Sequence, residues 1–297
     1  LYSSSEEKVK LRDEITIILP TRNGNFESAK DLYFGKEYEN GRILECLYAH
    51  IDPNSFVASP EKLGFVNTSK EIEEFLSWVG VSKSPRYISV DTEDTDYSKS
   101  EFLDYVMFSL KYPAIFNEIA IENVQQLMKY YKTLEVTNID RIKQVISTAD
   151  PHAIICWIAT NPDVDSWRID GDNSATFRIK RSGQQNYRRL LNQSVPSYPL
   201  WLLRTTAWLP IEGGNKLSPN KCCIAPGVRD ISQVVGYPAL DMEHPLIKAL
   251  NLDRTAIISA LIKIGVVTDL DTLPWDSFYE ILLELPTLDQ QGGKAKS

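Results

Sequence analysis

Two segments far apart in this chain carry the same short pattern. Ile18-Leu19-Pro20-Thr21-Arg22-Asn23-Gly24-Asn25 and Trp208-Leu209-Pro210-Ile211-Glu212-Gly213-Gly214-Asn215 each place Leu-Pro before a Gly four residues on, followed by Asn. Proline lacks an N–H and ends a strand ladder, whereas glycine opens the positive-φ conformations that a tight reversal needs. Each copy therefore predicts a strand, a turn and a return, with Pro20, Gly24, Pro210 and Gly214 as the turn positions. Glu14 to Leu19 supplies a β-rich strand before the first turn, and Asn23-Gly24 the residues that reverse it. Similar apolar helix endings follow: Phe75-Leu-Ser-Trp-Val-Gly-Val81 after the first copy, Leu246 to Leu252 and, more closely, Ala260-Leu-Ile-Lys-Ile-Gly-Val266 after the second. A unit that cannot bury its apolar face alone gains from being duplicated. The expected fold class is mixed α/β (α+β), two related strand-turn-helix units flanking a helical insert.

Periodicity fills in the rest. Ile72, Phe75, Leu76 and Val79 have the spacing of one buried helical face, with Thr68 and Glu71 as a capping box and Gly80 as the stop. Helices are also predicted over Ser100–Leu110, Ile121–Leu134 and Ile139–Ile146. Ala153 to Ala159 is an apolar run that suits a buried strand or a helix equally. Trp167–Asp170 and Ala175–Ile179, on either side of Gly171-Asp172-Asn173, predict a β-hairpin. Arg254–Ile264 and Pro274–Leu285 close the series as helices. These elements divide the chain into a first unit over 1–97, a helical block over 98–165, a second α/β unit over 166–290 and a linker or tag remnant over 291–297. The ends, Leu1 and the run from Gly292 to Ser297, read as cuts inside something longer.

Composition excludes several classes. With 43% hydrophobic and 24% charged residues the chain has the balance of a folded globule rather than a disordered one. No apolar run approaches the ~20 residues of a membrane span, and no signal segment leads the chain. Cys46, Cys156, Cys222 and Cys223 are few and irregularly spaced, which suits a reducing compartment, so the cytoplasm is expected. The net charge of -8 lies wholly in residues 1–150 (17 Lys+Arg against 25 Asp+Glu), while residues 151–297 hold 15 of each. An acidic first half argues against wrapping nucleic acid with the whole surface.

Leu19-Pro20-Thr21-Arg22-Asn23-Gly24, Ala29-Lys-Asp-Leu-Tyr33-Phe34, Phe75 to Val81 with Pro85-Arg86, and Trp208-Leu209-Pro210 together resemble the region downstream of the ATPase module in large sacsin-like proteins. Those proteins carry an ATPase of the histidine-kinase, gyrase and heat-shock-chaperone type, and include the plant NO VEIN type and bacterial relatives. The matching motifs cover about a fifth of the chain. The resemblance implies chaperone-like or bacterial defence proteins in which a nucleotide-driven module moves attached scaffold regions. It carries no catalytic residue onto this chain, since the Asp-x-Gly-x-Gly motif of that ATPase class does not occur; Asp170-Gly171-Asp172-Asn173 lacks the second Gly.

Chemical constellations are sparse. His50, His152 and His244 are widely separated, with no Cys-x-x-Cys or His-x-x-x-His, so no metal site is expected. Cys156 sits in an apolar run, and Cys222 and Cys223 align with Leu32 and Tyr33 of the first copy; all three read as core. The acidic run from Asp91 to Asp96 lacks the Gly and distal Glu of a calcium loop. Asp163, Asp165, Asp170 and Asp172 read as turn acids, with a metal-dependent nuclease as a distant alternative. No Gly-rich phosphate loop occurs, and no cofactor is expected.

The remaining signal is basic. No acid lies between Asn173 and Ile211, a stretch holding Arg178, Lys180, Arg181, Arg188, Arg189 and Arg204 among aromatic residues. Guanidinium groups suit phosphates and aromatics stack on bases, so these six are the candidate phosphate or nucleic-acid contacts. A half-buried strand whose outer face is basic explains the same pattern, as does a surface for an acidic protein partner. The reading as a whole is a non-catalytic scaffold or coupling region, partnered by other domains of a parent protein (an ATPase module above all) and by other proteins, with no membrane partner; a nucleic-acid-binding module is the alternative.

Overall fold

The computed structural model describes residues 16–65, 70–91, 131–161, 164, 168–169, 177–181, 195–225 and 235–272. In chain order the strands are β1 (Ile18–Pro20), β2 (Phe26–Ser28), β3 (Tyr87–Asp91), β4 (Tyr131–Ile139), β5 (Arg168–Ile169), β6 (Phe177–Arg181), β7 (Val195–Pro196), β8 (Leu209–Pro210) and β9 (Lys216–Leu217). The helices are α1 (Arg42–Tyr48), α2 (Lys70–Val79), α3 (Ile142–Thr148), α4 (Pro151–Thr160), α5 (Tyr198–Thr205), α6 (Pro245–Ala249) and α7 (Arg254–Lys263). The chain forms two compact units: Leu1–Arg86 with Lys143–Thr160 and Asp241–Ile257, and Tyr87–Ile142 with Asn161–Leu240 and Ile258–Ser297. The mixed α/β class holds. The expected divisions at 97/98, 165/166 and 290/291 fall outside the described residues.

In the first unit β1 and β2 pair antiparallel, Leu19 opposite Glu27 and Pro20 opposite Phe26. Thr21 N–H donates to Asn25 O (2.7 Å) and Gly24 N–H to Thr21 O (2.9 Å), closing the turn. Of the expected Asn23-Gly24 pair only Gly24 takes a positive φ, 87°. A 3₁₀ turn over Ala29–Asp31 then delivers Leu32, Tyr33 and Phe34 to the core, all fully buried. Tyr33 bridges in parallel to Phe56 and to Ser82, so this segment is the middle strand of a small knot of main chain. Ala29, Leu32, Phe34, Tyr38 and Val57 pack with Leu76, Val79 and Val81 from the end of α2.

Helix α2 departs from expectation at one position. Phe75 is 49% exposed, while Glu73 is buried. Glu73 can turn inward because its carboxylate accepts the Glu39 N–H at 2.7 Å, and the inward stripe becomes Glu73, Leu76 and Val79. Thr68 lies outside the described residues. The ambiguous run at Ala153–Ala159 is helix: Asp150 accepts the His152 N–H (2.8 Å) as an N-cap, Pro151 occupies the first turn, and Ala153 to Ile158 are buried all round. Helix α4 packs on α1 and α6.

The second unit repeats most of the first copy's main-chain bonds. Ile211 N–H donates to Asn215 O (3.0 Å), Gly214 N–H to Ile211 O (3.1 Å) and Ala239 N–H to Pro210 O (2.9 Å), as Thr21, Gly24 and Ala58 do to Asn25, Thr21 and Pro20. The 3₁₀ turn Pro219–Lys221 replaces Ala29–Asp31, and Cys223 bridges Val267 as Tyr33 bridges Ser82. One difference has a plain cause. Val57 N–H donates to Tyr33 O (3.0 Å), whereas the equivalent Pro238 has no N–H, and the bridge there moves to Cys222–Gly236.

Three sequence expectations are corrected between Tyr131 and Pro196. Tyr131–Ile139 is a strand, so the helix predicted for Ile121–Leu134 does not reach its expected end; residues 121–130 are outside the described set. Thr133, Val136, Thr137 and Ile139 are β-branched, and pairing on both sides with β3 and β6 overrides the helical spacing. That strand also takes Ile139, so the next helix spans Ile142–Thr148 instead of Ile139–Ile146. The predicted hairpin does not form either. Arg168–Ile169 pairs with Val195–Pro196, and Phe177–Arg181 with β4, because longer-range partners supply the ladders. Ser100–Leu110 and Pro274–Leu285 lie outside the described residues.

Candidate functional site

The four turn residues stand where the repeat placed them. Pro20 and Pro210 end their strands, and Gly24 and Gly214 have φ of 87° and 88° with nothing within 4 Å of a Cβ built on either. Four of the six basic candidates fall among the described residues. Arg178, Lys180 and Arg181 lie on β6, where the register sets Glu135 opposite Arg178, Thr133 opposite Lys180 and Tyr131 opposite Arg181. Arg204 ends α5, where its Nη2–H donates to Lys263 O (3.0 Å) at the end of α7, a structural role. Arg188, Arg189, Asp163, Asp165, Asp170, Asp172 and the run after Asp91 lie outside the described residues.

The thiols are poor nucleophiles. Cys156, Cys222 and Cys223 are fully buried, and all four cysteines are free. Burial pushes the Cys156 and Cys222 thiols up to about 12, and burial with the nearby charges of Asp150 and Glu45 raises Cys46. A thiolate is the reactive form, so none of these is activated at neutral pH.

Sequence reasoning missed a His/Asp cluster that the fold assembles among the described residues. Asp150 caps α4, His152 sits in its first turn, and His244 caps α6. These two helix starts bring the three side chains together, with their ligand-type atoms within 4.8 Å of one another. His152 Nδ1 lies 2.9 Å from Asp150 Oδ1, and His244 Nε2 lies 3.4 Å from Asp150 Oδ2. The two rings stack, with centroids 4.2 Å apart and planes 2° from parallel. The available signal was Asp150-Pro151-His152 and His244-Pro245, two Pro-opened helix starts that each carry a histidine.

Backbone donors fix the chemistry of this cluster. Asp241 N–H donates to His152 Nε2 (3.0 Å) and Leu246 N–H to His244 Nδ1 (3.3 Å). An amide N–H can only donate, so those nitrogens carry lone pairs and each neutral ring holds its proton on the nitrogen facing Asp150. Burial favours the neutral acid at Asp150, but the His152 amide and ring, with His244 beside them, outweigh it and hold the carboxyl below its usual range. A histidine that binds a metal donates its other N–H to a partner. Here both outer nitrogens meet donors, so the cluster fits a divalent ion poorly. The same two contacts cover the lone pairs that a general base would use.

No protein-family model matches this sequence, and no curated protein or solved structure is significantly similar to it. Among the described residues no helix is long and apolar enough to cross a membrane.

Proposed function

We propose that this chain is a non-catalytic scaffold and coupling region of a larger sacsin-like ATPase-containing protein, binding neighbouring domains or protein partners and transmitting their movement. The twice-built unit carries the reading. In each copy a strand, a turn, a return and a 3₁₀ turn are tied by main-chain hydrogen bonds to two further segments, Phe56–Ala58 and Ser82 in one, Gly236–Ala239 and Val267 in the other. Such cross-tied pieces move as rigid bodies and suit the passing of force rather than chemistry. The raised thiols and the covered histidine nitrogens support the same view. Phosphate release from magnesium ATP by the purified chain tests it: the expected rate is that of buffer, and turnover would overturn the proposal.

A nucleic-acid-binding role for the basic segment is the second reading. Arg178 and Lys180 occupy alternate positions of β6, an edge strand, and so belong to one face of its sheet. The acid opposite Arg178 and the engagement of Arg204 with Lys263 weaken it. Binding to a DNA or RNA oligonucleotide that falls steeply with salt, and weakens when Arg178, Arg181, Arg188 and Arg189 become Glu, would favour it over the first reading.

A further inference from the structure

The Asp150–His152–His244 cluster has no part in the coupling reading, yet His152 is hydrogen-bonded at both ring nitrogens and His244 at Nδ1, with its Nε2 facing Asp150. We propose that it is a proton-operated clasp, in which a neutral imidazole pins the backbone at Asp241 and Leu246 and a protonated one lets it go. A neutral ring has one N–H and one lone pair. His152 spends the N–H on Asp150 and the lone pair on the Asp241 amide; His244 spends its lone pair on the Leu246 amide, with its Nε2 3.4 Å from Asp150 Oδ2. A proton added to His152 arrives at Nε2 and sets one N–H against another, so the Asp241 contact opens. In exchange the bond from Nδ1 to Asp150 becomes charge-assisted and stronger. His244 makes the same trade at Nδ1, and α6 loses the side chain that caps it.

The exchange is local: a backbone contact is lost while an ion pair is gained. The titratable and charged groups around the clasp are few. Helix α4 contributes Asp150, His152 and Cys156, α1 contributes Cys46 with Glu45 behind it, and the turn into α6 contributes Asp241 and Glu243, with Lys248 following. Lys248 pairs with Glu243, and Asp241 Oδ1 accepts the Glu243 N–H at 2.9 Å. The nearby thiols stay neutral, raised by burial. The two stacked rings share a single carboxylate. The segment from Asp241 to Leu246 is therefore held shut at neutral pH and released on acidification.

Nitrogen NMR of the imidazoles and amide hydrogen exchange on the full chain test the proposal. At neutral pH the proton is expected on Nδ1 of His152 and on Nε2 of His244. Protection of the Asp241 and Leu246 amides, corrected for intrinsic rate, is expected to fall by about tenfold or more on acidification from neutral to mildly acidic pH. The variant H152Q/H244N supplies non-titrating side-chain oxygens where Nε2 and Nδ1 stand, and is expected to keep its protection over that span. The opposite tautomers, constant protection in the wild-type chain, or a loss that persists in the double variant would each overturn the clasp. Zinc added at neutral pH is expected to leave both amides and the imidazole signals unchanged; metal-shifted imidazole signals would overturn it in favour of a cation site.

Discussion

Gly80 and Gly265 stand at the same place in the two copies: each ends a helix at a positive φ, 119° and 103°, with a long basic side chain, Lys30 or Arg204, pressed against it. After each glycine the chain closes with the same bond, Val81 N–H to Leu76 O (2.9 Å) and Val266 N–H to Leu261 O (3.0 Å). This is the six-to-one closure that glycine makes easy at a helix end. The two copies thus share a helix stop as well as a strand turn.

Alanine at these glycines separates backbone strain from crowding. At Gly24 and Gly214 an added Cβ meets nothing, so the cost is the positive φ alone, about 1–2 kcal/mol. At Gly80 the new atom falls 2.9 Å from Lys30 Cγ and 3.3 Å from Lys30 main-chain atoms, so G80A is expected to lose more than G24A. Urea unfolding of the single variants checks the order. Equal losses would mean that Lys30 gives way freely.

The Val57–Pro238 pair offers a reciprocal test. V57P deletes the donor to the Tyr33 carbonyl among fully buried neighbours and is expected to destabilise by ~3 kcal/mol or more. P238V puts a donor where the first copy has one and is expected to be neutral or stabilising by up to about 1 kcal/mol. Thermal and urea unfolding of the two variants should therefore move in opposite or very unequal amounts.

What the sequence revealed and what it hid divide along contact range. The Leu-Pro turns, the glycine stops and the helix over Lys70–Val79 depend on neighbours a few residues away, and their chemistry is written locally. Strand β4 was hidden because Leu134 and Tyr131 fit a helical spacing as well as an alternating one, and only the distant β3 and β6 decide between them. The hairpin at Asp170 was misread for the same reason. Phe75 misled because nothing local announces that Glu73 will find the Glu39 amide. The His152–His244 stack was least legible of all, since it joins two helix starts that only the tertiary fold brings together.

The ion pair at the first turn sets a pH dependence. Arg22 donates from Nη1 and Nη2 to both Glu45 oxygens (2.6 and 2.5 Å) and from Nη2 to Glu37 (2.9 Å). Burial works to raise the Glu45 carboxyl, but the Arg22 bonds and charge outweigh it and hold it low. A carboxyl lowered on folding adds stability above its unfolded pKa and gives it up as pH falls through the folded one. R22K, which keeps the charge but loses the fork, is expected to cost about 1–2 kcal/mol near neutral pH. E45Q is expected to flatten the loss of stability below about pH 4. Urea titrations across that range measure both effects.

The buried thiols should be silent. Cys156 and Cys222, with thiols pushed up to about 12, are expected to resist iodoacetamide at neutral pH until the chain unfolds, and Cys46, half-buried and raised, to react slowly. Mass spectrometry of the alkylated native protein checks this. Fast labelling of any one would point to an activated nucleophile.

Hydrogen exchange on the longer protein, with and without ATP, tests the coupling role most directly. If this region passes on movement made elsewhere, protection at the equivalent amides of Thr21, Gly24, Ile211 and Gly214 changes with nucleotide there, while the same amides of the purified chain ignore ATP. Exchange that is indifferent to nucleotide in the longer protein, or that responds to it in the chain by itself, would contradict the account.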